Sequence, residues 1–311
     1  MLLRANPTLK DWAALLTLVV FWGSSYALTK TAVTSIPPDW VVAGRMTVAA
    51  LILVPACFLK GRLLPTGALL WACITWLAVG GTMLPFYLIS WGTQHIPSAV
   101  AGVLMGVTPL WTIALAHFAL PDEKLNRFKL AGFVLGFAGV VIMFDPRELL
   151  SLSAAGLAFW GQLAVIGGTM CFAMHSVSAR LMPRVAPLEM SASVILVGSI
   201  ASVLFALLNT GTIDLTMSAS SLWSVLALGV FPTGLASIVL YFLLASAGAS
   251  FVSYTNYLLP GYALLLGVLV LNETLPANAY IGLGLIMTGI AVSQIRRQRP
   301  SAPGQYHQRP R

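Results

Sequence analysis

Ten apolar segments, with the charges pushed to their ends, leave this 311-residue chain one solvent to fold in. The segments are 11–35, 38–59, 68–91, 98–119, 128–144, 155–181, 188–208, 220–246, 250–271 and 277–295. A bilayer core of roughly 30 Å takes about 20 helical residues to cross. Composition agrees, with 58% hydrophobic and 8% charged residues, against about 25% charged in soluble domains. The alternating half-polar strands of a membrane barrel are not visible. The expected class is therefore an all-α integral membrane protein of ten transmembrane helices. The first span is long enough to cross and lacks a cleavage site, so it reads as a helix and not as a cleavable signal.

The net charge of +8 could suggest nucleic acid. Its distribution points elsewhere. Ten spans put both termini on one side, and fourteen of the seventeen Lys and Arg residues then share that side, leaving Lys30, Arg45 and Arg147 opposite. Basic residues in short loops stay cytoplasmic, so the expected topology is N-in and C-in, with no nucleic-acid partner. Cys57, Cys73 and Cys171 lie in apolar runs without a paired spacing and read as packing.

The chain repeats itself at an offset near 150 residues. "FWGSSYALTK" (21–30) overlies "CFAMHSVSAR" (171–180), so Trp22 meets Phe172, Ser25 meets His175 and Lys30 meets Arg180. Pro109 falls on Pro260, Glu123 on Glu273, and Gly132 and Gly139 on Gly282 and Gly289. Each half holds five spans, an odd number, so the second half enters from the opposite face. Inverted repeats of this kind build secondary transporters with the substrate site between the halves. The expected units are a first repeat 1–151, a second 152–295 and a disordered basic cytoplasmic tail 296–311. Duplication that merely enlarges a bundle is the structural alternative.

The five-plus-five repeat, "FWGSSYALTK", "GRM" (44–46), "GVTPLWTIALAHFALPDEKL" (106–125), "YLLPGYALLLGVLVLNETL" (257–275) and the glycine-rich fifth and tenth spans resemble the drug/metabolite transporter superfamily, in its ten-helix EamA-like branch. The resemblance covers nearly the whole chain. It implies a basket-like bundle with a central cavity, and export of small metabolites, with amino acids, aromatic ones included, as the substrate class. These motifs identify a family better than a substrate.

Polar groups at membrane depth usually face the bundle interior. Ser24, Ser25 and Thr29 taken singly read as packing, because a hydroxyl can bond the carbonyl four residues back. Trp22 and Tyr26 share a face of the first span near its middle, with Ser25 beside them. Aromatic belts sit at span ends instead, so Trp22, Ser25 and Tyr26 are expected to line a cavity of apolar walls and few polar groups. His175 reads equally as a functional group or as a neutral imidazole bonded to a carbonyl. Asn256 and Tyr257 lie within a turn of Pro260, which frees a backbone carbonyl. Pro109 and Pro260 are the candidate kink or gating positions. Tyr87 and Tyr241 complete the candidate substrate-binding set, Tyr241 being the weaker. The glycine faces of the fifth and tenth spans read as helix packing. Lys30, Arg45 and Arg180 read as snorkelling side chains near span ends, and Arg45 as structural.

All nine acids lie at span ends or in loops. A carboxylate proton relay, which pumps place inside the membrane, has no residue here, and a permanent cation would lack its counter-charge. The expected function is a secondary transporter exporting neutral amino acids or similar metabolites by alternating access, facilitative in mechanism. The runner-up is a proton-linked multidrug or metabolite exporter using His175. An intramembrane enzyme lacks a convergent nucleophile and base, and a lipid scramblase would need a groove open to lipid. No cofactor or metal is expected. The partners are a small molecule and membrane lipid, with the chain a monomer or weak homo-oligomer in a bacterial inner membrane.

Overall fold

The computed structural model describes residues 7–294, apart from 62–63, 122, 124, 145–155, 184 and 214–215. The expected tail 296–311 lies outside the described residues. All regular structure among them is helical. The helices are α1 Leu9–Ala32, α2 Pro38–Leu59, α3 Ala68–His95, α4 Ser98–Ala119, α5 Arg127–Met143, α6 Leu157–Leu181, α7 Pro187–Asn209, α8 Ala219–Ser246, α9 Thr255–Leu269 and α10 Ala277–Ser293. A short turn, Ala249–Val252, leads into α9. Among the described residues seven helices are long and apolar enough to cross a membrane, and α9 and α10 are shorter apolar ones.

Local chemistry sets the ends. Thr8 and Asp11 form a reciprocal capping box at the start of α1. α2 and α7 both open on proline, at Pro38 and Pro187, where a missing N–H costs nothing and φ is already helical.

Prolines and glycines shape the interiors. Pro232 in α8 has no N–H for the Leu228 carbonyl four residues back. The helix widens to π geometry over Gly229–Leu235, and Thr233 Oγ1 donates to that carbonyl at 2.8 Å. α3 widens over Val79–Met83, where Thr82 Oγ1 donates to the Leu77 carbonyl at 2.9 Å. α4 is interrupted at Gly106–Val107. Pro109 there deprives the Met105 carbonyl, which accepts from Thr108 Oγ1 at 2.8 Å instead.

The halves are related by an inverting two-fold. α1 packs on α8 and α9, and α6 packs correspondingly on α3 and α4. α5 packs on α10, each the counterpart of the other. A Cβ on Gly132 would fall 2.3 Å from the Gly289 carbonyl oxygen, and one on Gly139 would fall 2.8 Å from that of Gly282. As residue number rises along α5 it falls along α10, so the pair is antiparallel. A two-fold along the membrane normal would make counterparts parallel, whereas an axis in the membrane plane makes them antiparallel. Glycine at these positions lets two backbones touch. The fold is thus the expected bundle of two inverted five-helix repeats.

Candidate functional site

Between the repeats lies a cavity of two lobes that share Trp22, Phe86, Phe172 and Pro232 in their walls. Trp22 and Phe172 are repeat counterparts, so the junction of the lobes lies at the pseudo-two-fold. The first lobe holds about 340 Å³ and the second about 740 Å³. A small metabolite fits either, since ligand pockets run from about 300 to 1,000 Å³.

The first lobe is walled by Trp22, Phe86, Phe172 and the side chains around the α4 break, Thr108 and Pro109, facing Pro260. Its polar side chains are Ser25, Arg45, Thr108, Ser176 and Asn256, of which Thr108 and Ser176 donate to the Met105 and Phe172 carbonyls at 2.8 and 3.0 Å. Neither the Ser25 hydroxyl nor the Asn256 amide has a hydrogen-bond partner among the described residues. Tyr26 is buried at its rim. The second lobe runs from that junction past His175 and Tyr241 to Arg180, at the connection between α6 and α7. His175 Nδ1 is buried and makes no hydrogen bond of good geometry among the described residues, although the imidazole faces the backbone of Leu77 and Gly81. It lies against the π turn of α3, where a Cβ on Gly81 would fall 2.4 Å away. Tyr241 shares a hydrogen bond with Ser191. Among the described residues no carboxylate lines either lobe, and no three His, Cys, Asp or Glu side chains converge to hold a metal ion.

Of the sequence-derived candidates, Trp22, Ser25, Tyr26, Asn256, Pro109 and Pro260 share the first lobe, and His175 and Tyr241 share the second. Tyr87 and Tyr257 line neither. The Tyr87 ring packs edge-on against Phe205 of α7 at 5.1 Å. Tyr257 packs into the apolar cluster around α4 and α10.

Of the three cations, Arg180 keeps its head at the exposed end of its helix, as snorkelling expects, whereas Arg45 and Lys30 are held inside by protein groups. Arg45 is 6% exposed and lines the first lobe. Its Nε donates to Thr233 Oγ1 at 2.8 Å, and its guanidinium carbon stands 3.7 Å from the centre of the Phe86 ring. The sequence reading took it as structural because it lies only two turns into α2. The signal available was the absence of any acid within reach along its own helix face. Lys30 Nζ donates to the carbonyls of Thr93 at 2.8 Å, Gln94 at 3.4 Å and Ile96 at 2.9 Å, at the end of α3. Beside it the Glu273 carboxylate accepts from the first amides of α4, Ser98 at 2.7 Å and Ala99 at 2.9 Å. This satisfies donors that a helix start leaves over and places an anion at the positive end of the helix. At the opposite end the counterparts meet each other. Arg180 pairs with Glu123, both partly exposed at the mouth of the second lobe. Arg180 of this partly exposed pair lines the second lobe, whereas neither Lys30 nor Glu273 lines either lobe.

The EamA-like transporter family profile matches residues 10–145 and again 159–294. The chain belongs to that family. It is similar to the uncharacterized transporter YoaV of Bacillus subtilis, at 24% identity over 90% of this chain and 95% of that protein. It is similar also to the uncharacterized inner membrane transporter YedA of Escherichia coli K12, at 24% identity over 93% of this chain and 92% of that one. A solved crystal structure of a protein 23% identical superposes with a TM-score of 0.65, over 92% of this chain and 97% of its own, which speaks for the fold. This EamA-like protein is a multi-pass membrane transporter of a small molecule.

Proposed function

We propose that this transporter exports neutral amino acids, those with apolar or aromatic side chains foremost, by alternating access and without a carboxylate proton relay. The observation that carries the reading is the lining of the first lobe. It combines aromatic walls, two unpartnered neutral polar groups in Ser25 and Asn256, one guanidinium and no acid. Such a site suits an apolar body with a compact polar head. It gives a permanent cation no counter-charge.

The two ends supply the alternation. With the termini cytoplasmic, the Arg180 end, which the second lobe reaches, faces the cytoplasm, where an exporter loads. The inverted repeat implies a second state with the ends exchanged. Arg180 would then take the carbonyls at the end of α8, Glu123 the amides that start the segment leading into α9, and Lys30 would release its own.

Uptake of radiolabelled phenylalanine and leucine into proteoliposomes, with and without a pH gradient, tests the proposal. Saturable uptake that ignores the gradient and falls in Ser25→Ala and Asn256→Ala supports it. Absence of uptake of any neutral amino acid refutes the substrate class. A second reading, proton-linked export, rests on His175, whose Nδ1 is buried in the second lobe and makes no hydrogen bond of good geometry among the described residues. Uptake that needs the gradient and loses that dependence in His175→Gln would select it.

A further inference from the structure

Arg45 is a cation without an anion. It is almost wholly buried, and no carboxylate pairs with it among the described residues. Its Nε is used by Thr233 and one face of its guanidinium by Phe86. The terminal nitrogens have no partner among the described residues, and the residue borders the first lobe. Removing an ion from water costs several kcal/mol unless charge and hydrogen bonds are returned to it.

The surroundings fix its aim. Thr233 Oγ1 is itself held, since it donates to the Leu228 carbonyl that Pro232 leaves free and accepts from Arg45. Phe86 in turn packs edge-on against Phe172, with ring centres 5.7 Å apart. A planar fork held at its root and along one face leaves its outer donors for a ligand, and a fork of parallel N–H groups matches a carboxylate. The repeat adds a second sign. Thr82 stands in α3 where Thr233 stands in α8, with the same hydroxyl bond. The α7 residues that correspond to Arg45 are Val194 and Ile195, both buried and apolar. Helix geometry therefore does not require a guanidinium at this level, and only one half carries it.

We infer that Arg45 is the carboxylate-binding group of the transport site, and that the carboxylate, more than the amine, is what the cavity recognises in its substrate. This deepens the amino-acid reading and rests on it for the natural substrate. An ammonium finds only neutral acceptors among the side chains of the same lobe, Ser25 and Asn256 being the ones without a partner of their own. A charged hydrogen bond is worth about 1.5–3 kcal/mol, and about 1.4 kcal/mol is tenfold in affinity.

The test is binding to the purified full-length protein in detergent, read by calorimetry, with 3-phenylpropionate, phenethylamine and phenylalanine as probes. The acid and the amino acid are expected to bind and the amine to bind at least roughly tenfold more weakly. Arg45→Gln is expected to lose about tenfold or more for both carboxylates and Arg45→Lys to lose less. Lys60→Gln, which removes an exposed charge beyond the end of α2, is expected to leave affinity unchanged. Amine binding equal to the acid, or a folded Arg45→Gln with wild-type affinity for 3-phenylpropionate, overturns the assignment. The comparison of acid with amine on the unaltered protein decides even if the Arg45 variants do not fold. Arg45-dependent binding of 3-phenylpropionate without transport of any amino acid would sink the amino-acid reading and leave the carboxylate site standing.

Discussion

Thr82 and Thr233 lie 151 positions apart and do the same local work. Each sits in a π turn, and each donates its hydroxyl to the carbonyl five residues back, at 2.9 Å for Thr82 and 2.8 Å for Thr233. Only Thr233 also accepts from a cation, Arg45. Replacing either with valine keeps the shape and removes the hydroxyl. Thr82→Val is expected to cost about 1 kcal/mol of stability. Thr233→Val should cost more, by roughly 1.5–3 kcal/mol for the charged hydrogen bond, and should also weaken substrate binding. Melting temperatures in detergent beside uptake rates check this; equal effects of the two substitutions would refute it.

His175 and Gly81 occupy one space. With a Cβ at 81 meeting Nδ1 at 2.4 Å, Gly81→Ala must displace the imidazole or α3. A cost of about 1–3 kcal/mol is expected. His175→Ala should relieve most of it, so the double variant should be more stable than the sum of the singles predicts. Additive losses would mean that the two residues do not touch.

At one end of the bundle Lys30 holds three carbonyls and Glu273 caps the start of α4, and these contacts are the proposed extracellular gate. In a background with Cys57, Cys73 and Cys171 replaced by serine, Ser25→Cys places a reporter thiol in the cavity. Lys30→Gln is expected to raise labelling of that introduced thiol by an impermeant maleimide added from the extracellular side. Loss of a charged hydrogen bond worth about 1.5–3 kcal/mol moves a two-state population by about tenfold or more. Unchanged labelling would show that this contact does not hold the gate.

Two glycines of α10 should respond oppositely to alanine. At Gly289 a Cβ would lie 2.6 Å from the Gly132 carbonyl oxygen, which is backbone and cannot step aside. At Gly284 nothing lies within 4 Å. Gly289→Ala is expected to lower stability by about 1–3 kcal/mol through separation of α5 from α10. Gly284→Ala should be neutral or slightly stabilising, since alanine is the better helix former by up to about 1 kcal/mol. Thermal unfolding of both variants in the same detergent decides it.

Much of the site was legible before any coordinates. Trp22, Ser25 and Tyr26 stood out because aromatic and hydroxyl groups at mid-span have no use facing lipid. His175 stood out as an ionisable group inside a span, and Asn256 because it lies within a turn of Pro260. Tyr87 and Tyr257, also candidates, line neither lobe, because their rings found apolar partners in neighbouring helices. A tyrosine ring is content in either setting, and its depth in the span does not say which.

Sequence alone determined the solvent, the ten spans and the inverted pairing of halves. These follow from hydropathy, charge placement and an odd number of crossings per repeat, and none needs to know which helix touches which. Tertiary structure decided what each face meets. Helices apolar all round carry no stripe to mark an inner side, so Arg45 could equally have reached for the interface. The π turn at Pro232 offers it the Thr233 hydroxyl, and α3 brings the Phe86 ring over it. Those contacts, made across 188 residues of chain for Thr233, turn a span-end cation into the guanidinium that lines the first lobe of the cavity.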